Sequence, residues 1–258
     1  MLVILPPSET KRDGGTGRSS YLEELRFPAL TPYRQSLIEQ LADLATDPEA
    51  SMKALKISAR QMGEIERNRA LHSAAVMPAI DRYTGVLFDA LDATTLAPAE
   101  RAFAHEHVVV HSSLFGPVGA LDPIPAYRLS HSSRLPEGGL RQQWGRGIRH
   151  ELAQVPGLVL DLRSEGYAEL GPLELSSERL YVRVMARGAD GETRALNHFN
   201  KKTKGLFTRA LLQNQVAFED IDRLRTWAAG AGFEVGDPSS AHEIALIAPA
   251  REMTPAVS

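Results

Sequence analysis

Leu2-Val3-Ile4-Leu5-Pro6-Pro7-Ser8-Glu9-Thr10-Lys11 is the stretch from which the fold is read. Four apolar residues followed by two prolines predict a short buried strand that stops at Pro6. The polar, Gly-rich residues 8–20 then read as a loop. A strand-to-loop transition at the end of a sheet is a common ligand position. Ser8, Thr10 and Lys11 offer donors there for phosphate or carboxylate oxygens, with an ordinary polar turn as the alternative. It is not a Walker loop, because the Gly-x-x-x-x-Gly-Lys-Ser/Thr pattern is absent.

Outward from this strand, Val108-Val109-Val110 and Leu158-Val159-Leu160-Asp161-Leu162 read as further strands. Tyr181 to Ala186 and Thr193 to Phe199 predict a hairpin around Asp190-Gly191. Gly232 to Val235 and Glu243 to Ile247 supply the last strands. Thr31-Pro32 starts a helix with the stripe Leu37, Ile38, Leu41 and Leu44. Ser58 and Gln61 form a capping-box pattern before a helix that turns Met62, Ile65 and Leu71 inward. Residues 72–82 read as extended. Further helices are expected over Tyr83 to Leu91, Pro98 to about His105, Leu140 to Gln154, Lys202 to Asn214 and Phe218 to Ala229. Gly145 and Gly147 weaken the third of these. The prolines and turn residues of 113–137 predict a long ordered loop. There is no internal repeat, no linker between two cores and no regular βα alternation. The expected fold is α+β: a single compact domain over residues 1–250, with a mixed β-sheet surrounded by helices, and a tail at 251–258.

The 258 residues are 43% hydrophobic and 24% charged, enough for a substantial core and unlike a disordered chain. The chain has no cysteine, which excludes disulfides, thiolate catalysis and Cys-ligated zinc or iron–sulfur clusters. The opening apolar run is too short for a signal peptide, and no run approaches a membrane span. The expectation is a cytoplasmic protein with no membrane partner and no cofactor.

A net charge of −3 argues against non-specific nucleic-acid binding by the whole surface and leaves room for a local patch. Arg128, Arg134, Arg141, Arg146 and Arg149 lie between Pro123 and His150 with Glu137 as the only acid. Lys201, Lys202, Lys204 and Arg209 follow between His198 and Arg209 with no acid at all. Such segregation points to an anion-facing surface, and a solvated charged face is the alternative. If the helix starts near Lys201, three lysines crowd a terminus that already carries partial positive charge, at about 0.3–1 kcal/mol each when exposed. An anion there removes the conflict. Helical spacing groups Lys201, Lys204 and Thr208 on one flank and Lys202 with Arg209 on another.

Tyr127-Arg128, close to Asp122, is a pair that can stack on and clamp a ring. A structural tyrosine beside a surface arginine is the alternative. Trp144 reads as core. His105, His107 and His111 alternate as metal ligands on a strand would, although a helix reaching His105 breaks the alignment. No Ser-His-Asp set can be assembled.

Taken in order, several motifs resemble the YaaA family. They are the opening Leu2 to Lys11, Asp81-Arg82-Tyr83-Thr84-Gly85-Val86, Ser113-Leu114-Phe115-Gly116 and Leu121 to Leu129. Trp144-Gly145, Ser164-Glu165-Gly166-Tyr167 and Lys201-Lys202-Thr203-Lys204-Gly205-Leu206 complete the set. Two departures stand out. The lysine of the opening loop is displaced, and Lys204 stands where an arginine is common, which keeps charge but loses a bidentate fork. The resemblance implies a peroxide stress protein that limits oxidative damage, including the iron-driven part. It also implies binding of double-stranded DNA through a basic cleft and a helix-hairpin-helix element, for which Ser58 to Leu71 is the candidate by position. An enzyme acting on a small anionic substrate, a nucleotide or carboxylate, is the alternative. Ser8, Thr10, Lys11, Tyr127, Arg128, Arg134, Lys201, Lys202, Lys204 and Arg209 are the candidate anion-binding residues.

Overall fold

Leu2–Leu5 is strand β1, and all four of its residues are buried. The computed structural model describes residues 1–17, 21–187, 193–195 and 199–247. The chain continues through helices α1 (Thr31–Leu44), α2 (Pro48–Leu55) and α3 (Met62–Arg69) to strand β2 (Val76–Pro78). Helices α4 (Ala79–Arg82), α5 (Val86–Leu91) and α6 (Pro98–His107) lead into β3 (Val108–Ser112) and β4 (Gly116–Gly119). Short strands β5 (Pro123–Pro125), β6 (Arg134–Leu135) and β7 (Gly138–Gly139) precede α7 (Leu140–Ala153). Then come β8 (Val159–Asp161), α8 (Glu165–Ala168), β9 (Arg179–Arg187) and β10 (Thr193–Ala195). Helices α9 (Phe199–Asn214) and α10 (Ile221–Gly230) and strands β11 (Glu234–Val235) and β12 (Glu243–Ile247) finish it.

The main sheet has the order β11-β12-β9-β8-β1-β3-β4, with β10 on β9. The pairs of β1 with β3 and β8, of β8 with β9 and of β9 with β12 are parallel. The edge pairs are antiparallel. Parallel strands must be covered on both faces, which is why β1, β3 and β8 are buried throughout. This is the mixed-sheet α+β fold that the sequence predicts.

Several local expectations change. Residues 72–82 hold both β2 and the helical turn α4, because Arg82 folds inward rather than continuing a strand. Its guanidinium donates to the carbonyls of Arg12, Gly14, Ala75 and Ile124 and straps the opening loop to the body. Residues 113–137 contain β4, β5 and β6. Met62 is exposed, since the inward face of α3 is set by Ile65 and Asn68. α7 forms in spite of its glycines, anchored by buried Leu140, Trp144, Ile148 and Leu152. The Asp190-Gly191 turn and the 251–258 tail lie outside the described residues, although β9 and β10 pair antiparallel as a hairpin requires.

The topology fixes where a ligand site belongs. The chain leaves β1 toward β3 and leaves β8 toward β9, on opposite sides of the sheet. Loops that diverge in this way open a crevice outside the carboxyl ends of the strands. Residues 6–11, 113–115 and 162–164 follow the carboxyl ends of β1, β3 and β8 respectively.

Candidate functional site

Lys11 lies at this end of the sheet, bridged to Tyr83 and only 7% exposed. Its Nζ donates to the carbonyls of Ser8 (3.1 Å) and Glu9 (3.3 Å) and sits 4.0 Å from the centroid of the Tyr127 ring. Burial lowers its pKa to about 7; Glu64 opposes that shift and Arg128 adds to it. The carboxylates that act on Lys11 are engaged elsewhere. Glu9 pairs with Arg128 at 2.6 Å, and Glu64 pairs with Arg67 at 2.8 Å. Two side-chain atoms of this group, Glu64 Oε2 and Arg128 Nε, are buried with no hydrogen-bond partner among the described residues.

Beneath Lys11 runs a chain of hydroxyls. The Tyr127 hydroxyl lies 2.7 Å from Ser112 Oγ and 2.9 Å from the Tyr83 hydroxyl. Ser112 Oγ also accepts from the backbone N–H groups of Leu114 and Phe115 at the end of β3. Burial pushes the phenol pKa values of Tyr83, Tyr127 and Tyr167 upward, so all three hydroxyls stay protonated. Tyr167, on α8 after β8, lies near enough to Ser113, Glu9 and Arg128 for each to act on its hydroxyl. Residues that follow β1, β3 and β8 therefore meet in one cluster.

Ser8 and Thr10 share a hydroxyl contact of 3.1 Å, and Thr10 Oγ1 donates to the Thr84 carbonyl. A Cβ added to Gly85 would lie 3.4 Å from Ser8 Oγ and 3.5 Å from Thr10 Oγ1, so both abut the start of α5. α5 and α9 run side by side and parallel: a Cβ on Gly205 would meet the Leu87 carbonyl at 2.2 Å, and Arg209 reaches the Leu91 carbonyl. The first turn of α9, with exposed Lys201 and half-buried Lys202, thus comes to the same end as Ser8 and Thr10.

The helix begins at Phe199, so Lys204 is in its second turn and not its first. Lys204 is 4% exposed, and Thr208 is buried with it. They face inward, apart from exposed Lys201 with which the spacing groups them, because Gly205 lets α9 approach α5 closely. Burial lowers the Lys204 pKa to about 8, opposed by Asp161 and reinforced by Arg183 and Lys201. Beside it, on the β9 and β12 side of β8, a cavity of about 320 Å3 is lined by Asp161, Glu165, Tyr181, Arg183 and Glu243 among others. Arg209 lies two turns away from Lys201 and is spent on the carbonyls of Leu91 and Asp92 and on Thr95. Arg134 is exposed on β6, which lies against α1 and α2, apart from the crevice.

The arginines that cluster in sequence meet acids in space: Arg128 with Glu9, Arg141 with Glu169, Arg149 with Glu174 and Arg209 with Asp92. The three histidines do not gather. His105 and His107 both end α6, and the His107 Nδ1–H donates to the Met1 carbonyl. His111 is buried on β3, where its Nδ1 accepts from Arg163. No cluster of three or more potential metal ligands occurs among the described residues.

Sequence reading missed two features. Glu64 has no local signal, since only the packing of α3 brings it to Lys11. The second is the fully buried pair Asp161–Arg163, joined by two side-chain hydrogen bonds of 2.8 and 2.6 Å and one of 3.0 Å from the Arg163 backbone N–H, with Arg163 also donating to His111 and to the Gly171 carbonyl. A charged residue inside the apolar run 158–162, with an arginine two positions on and so on the same face, was the available signal.

Fold and site together define an α+β protein with a cluster of buried polar side chains at the carboxyl ends of parallel strands. The chain belongs to the peroxide stress protein YaaA family, whose model matches residues 1–237. It is 40% identical to a UPF0246 protein of Corynebacterium glutamicum over 253 residues, 96% of this chain and 100% of that one. A UPF0246 protein of Corynebacterium efficiens is 40% identical over 91% of this chain and 94% of its own. One from Streptomyces coelicolor is 37% identical, over 91% and 92% respectively.

Proposed function

We propose that this member of the peroxide stress family is an enzyme acting on a small anionic substrate, a nucleotide or carboxylate, held in the crevice around Lys11. One observation carries the reading. A buried amine stands with a buried acceptor, Glu64 Oε2, and a buried donor, Arg128 Nε; among the described residues the amine has no carboxylate partner and the other two atoms have no hydrogen-bond partner. Buried polar groups are normally satisfied, and exceptions cluster at functional sites. A compact ligand offering both a donor and an acceptor suits them better than a phosphate backbone does. Ser8 and Thr10 at the rim, and Lys201 beyond them, supply further donors. A thermal-shift screen against nucleotides and acyl carboxylates, with and without duplex DNA, tests the reading. Stabilisation by DNA alone would refute it.

Binding of double-stranded DNA is the second reading, favoured by a separate surface. α2 and α3 form a pair of helices whose connection turns at Lys56, in the left-handed conformation with φ 56°. The exposed side chains of Lys53, Lys56 and Arg60 flank that turn. A helix-hairpin-helix element built on this pair would take in α2 as well as residues 58–71. On either reading the cellular outcome we assign is limitation of peroxide damage, including its iron-driven part, in the cytoplasm. No described helix is long and apolar enough to cross a membrane.

A further inference from the structure

We propose that Lys11 is a carbonyl-trapping amine, so that the small anionic substrate is an aldehyde or ketone that condenses with its Nζ. The inference rests on the small-anion reading above and deepens it. Three observations support it. First, Nζ makes two hydrogen bonds, to the Ser8 and Glu9 carbonyls. A neutral amine has two N–H groups, so both are satisfied and the lone pair is not needed for binding. Second, the nearby carboxylates pair with arginines and not with Lys11, Glu9 with Arg128 and Glu64, through Oε1, with Arg67. Third, Nζ stands over the ring of Tyr127, whose hydroxyl belongs to a buried chain with Ser112 and Tyr83. A lysine desolvated beside other cationic groups is the usual form of a nucleophilic amine. Here the cations are Arg128 and Arg67, and the pKa of about 7 agrees with the geometry.

In the step, the Nζ lone pair forms a bond to the carbonyl carbon while the C=O π pair moves to oxygen. The proton lost by nitrogen and one from solvent let that oxygen leave as water. An iminium remains, and no oxidant or reductant is consumed.

The test uses the full chain, with glyoxylate as an anionic aldehyde and cyanoborohydride to reduce the iminium to a stable secondary amine. Peptide mapping follows labelling at Lys11, Lys53, Lys56, Lys201, Lys202 and Lys204. At pH 7 about half of Lys11 is neutral, against roughly one part in a few thousand for an ordinary lysine. Lys11 should therefore label at least about tenfold faster than exposed Lys53 and Lys56, with a rate that levels off above its pKa. Lys11→Arg should abolish that label in a protein whose circular dichroism is unchanged. Labelling of Lys11 no faster than Lys53, preferential labelling of Lys204, or a rate at Lys11 that keeps rising to high pH would each overturn the proposal. Because the wild-type pattern is itself decisive, the outcome does not depend on a variant folding. Oxalate, which cannot condense, separates the two layers. If oxalate stabilises the protein and Lys11 stays unlabelled, the amine proposal fails and the anion reading stands. If Lys11 reacts equally with glyoxylate and neutral acetaldehyde while oxalate has no effect, the amine stands and the anion reading falls.

Discussion

The Nζ of Lys11 lies 4.0 Å from the centroid of the Tyr127 ring, and the Tyr127 hydroxyl is bonded to Ser112 on β3. The relationship ties the loop after one parallel strand to the end of its neighbour. It also buries a basic group, and that has a measurable thermodynamic consequence.

Lys11 has a folded pKa of about 7, below its unfolded value. Above pH 7 the unfolded chain binds more protons than the native one, so stability rises with pH. Below pH 7 both states are charged and the burial penalty is fully present. Lys204, at about 8, acts in the same sense from a higher pH. Chemical denaturation of the wild type between pH 7 and about 9.5, short of tyrosine ionisation, should show rising stability. Lys11→Met should flatten that rise by up to about 1.4 kcal/mol per pH unit. An unchanged slope would mean that the amine is not buried in solution.

Tyr127→Phe keeps the ring beside Lys11 and removes the middle of the hydroxyl chain. It leaves the buried Tyr83 hydroxyl without its partner, which should cost about 1–3 kcal/mol. The double variant Tyr83→Phe/Tyr127→Phe removes both partners of that bond. It should cost less than the sum of the singles in a denaturation cycle.

Gly205→Ala and Gly145→Ala should move stability in opposite directions. A Cβ on Gly205 would lie 2.2 Å from the Leu87 carbonyl and 2.8 Å from Ala90 Cβ, so α9 must shift from α5. Overpacking of this kind costs about 1–3 kcal/mol and carries Lys204 away from Asp161. Gly145 has nothing within 4 Å of its added Cβ, and alanine there should stabilise α7 by about 0.5–1 kcal/mol. Thermal melts of the two variants check both signs.

Asp161→Asn breaks a pair whose side chains are 2% and 0% exposed and leaves the Arg163 charge beside His111. The expected loss is about 3–5 kcal/mol by urea denaturation. Replacing both residues, as Asp161→Asn/Arg163→Met, should recover part of it, since the Arg163 charge is then no longer left without its carboxylate.

How far the sequence led depends on the kind of contact involved. Leu2 to Leu5, Val108 to Val110 and Leu158 to Leu162 were legible as strands because a parallel strand, covered on both faces, is written as an apolar run. The opening motif pointed correctly to Ser8, Thr10 and Lys11 as neighbours at the sheet's end. The burial of Lys11 was not legible: in sequence it stands among Glu9, Thr10, Arg12 and Asp13, and the strap from Arg82, the bridge to Tyr83 and the Tyr127 ring enclose it. Helical spacing groups Lys204 with Lys201 on one basic flank, whereas the close approach at Gly205 turns Lys204 inward and leaves Lys201 exposed. Glu64 is invisible locally because it belongs to α3, more than fifty residues away from Lys11 in the chain. Charge segregation along the chain misled in part, since Arg141, Arg149 and Arg209 meet their acids only after folding.

Calorimetric titration of wild type and Lys11→Met with the best small anion from the screen, alongside duplex DNA at several salt concentrations, tests the central claim most directly. The account predicts that the small anion binds the wild type and that Lys11→Met weakens it at least about tenfold, a loss of about 1.4 kcal/mol. It is contradicted if no small anion binds, while duplex DNA binds both proteins equally with the steep salt dependence of phosphate contacts, near −0.9 per phosphate neutralised.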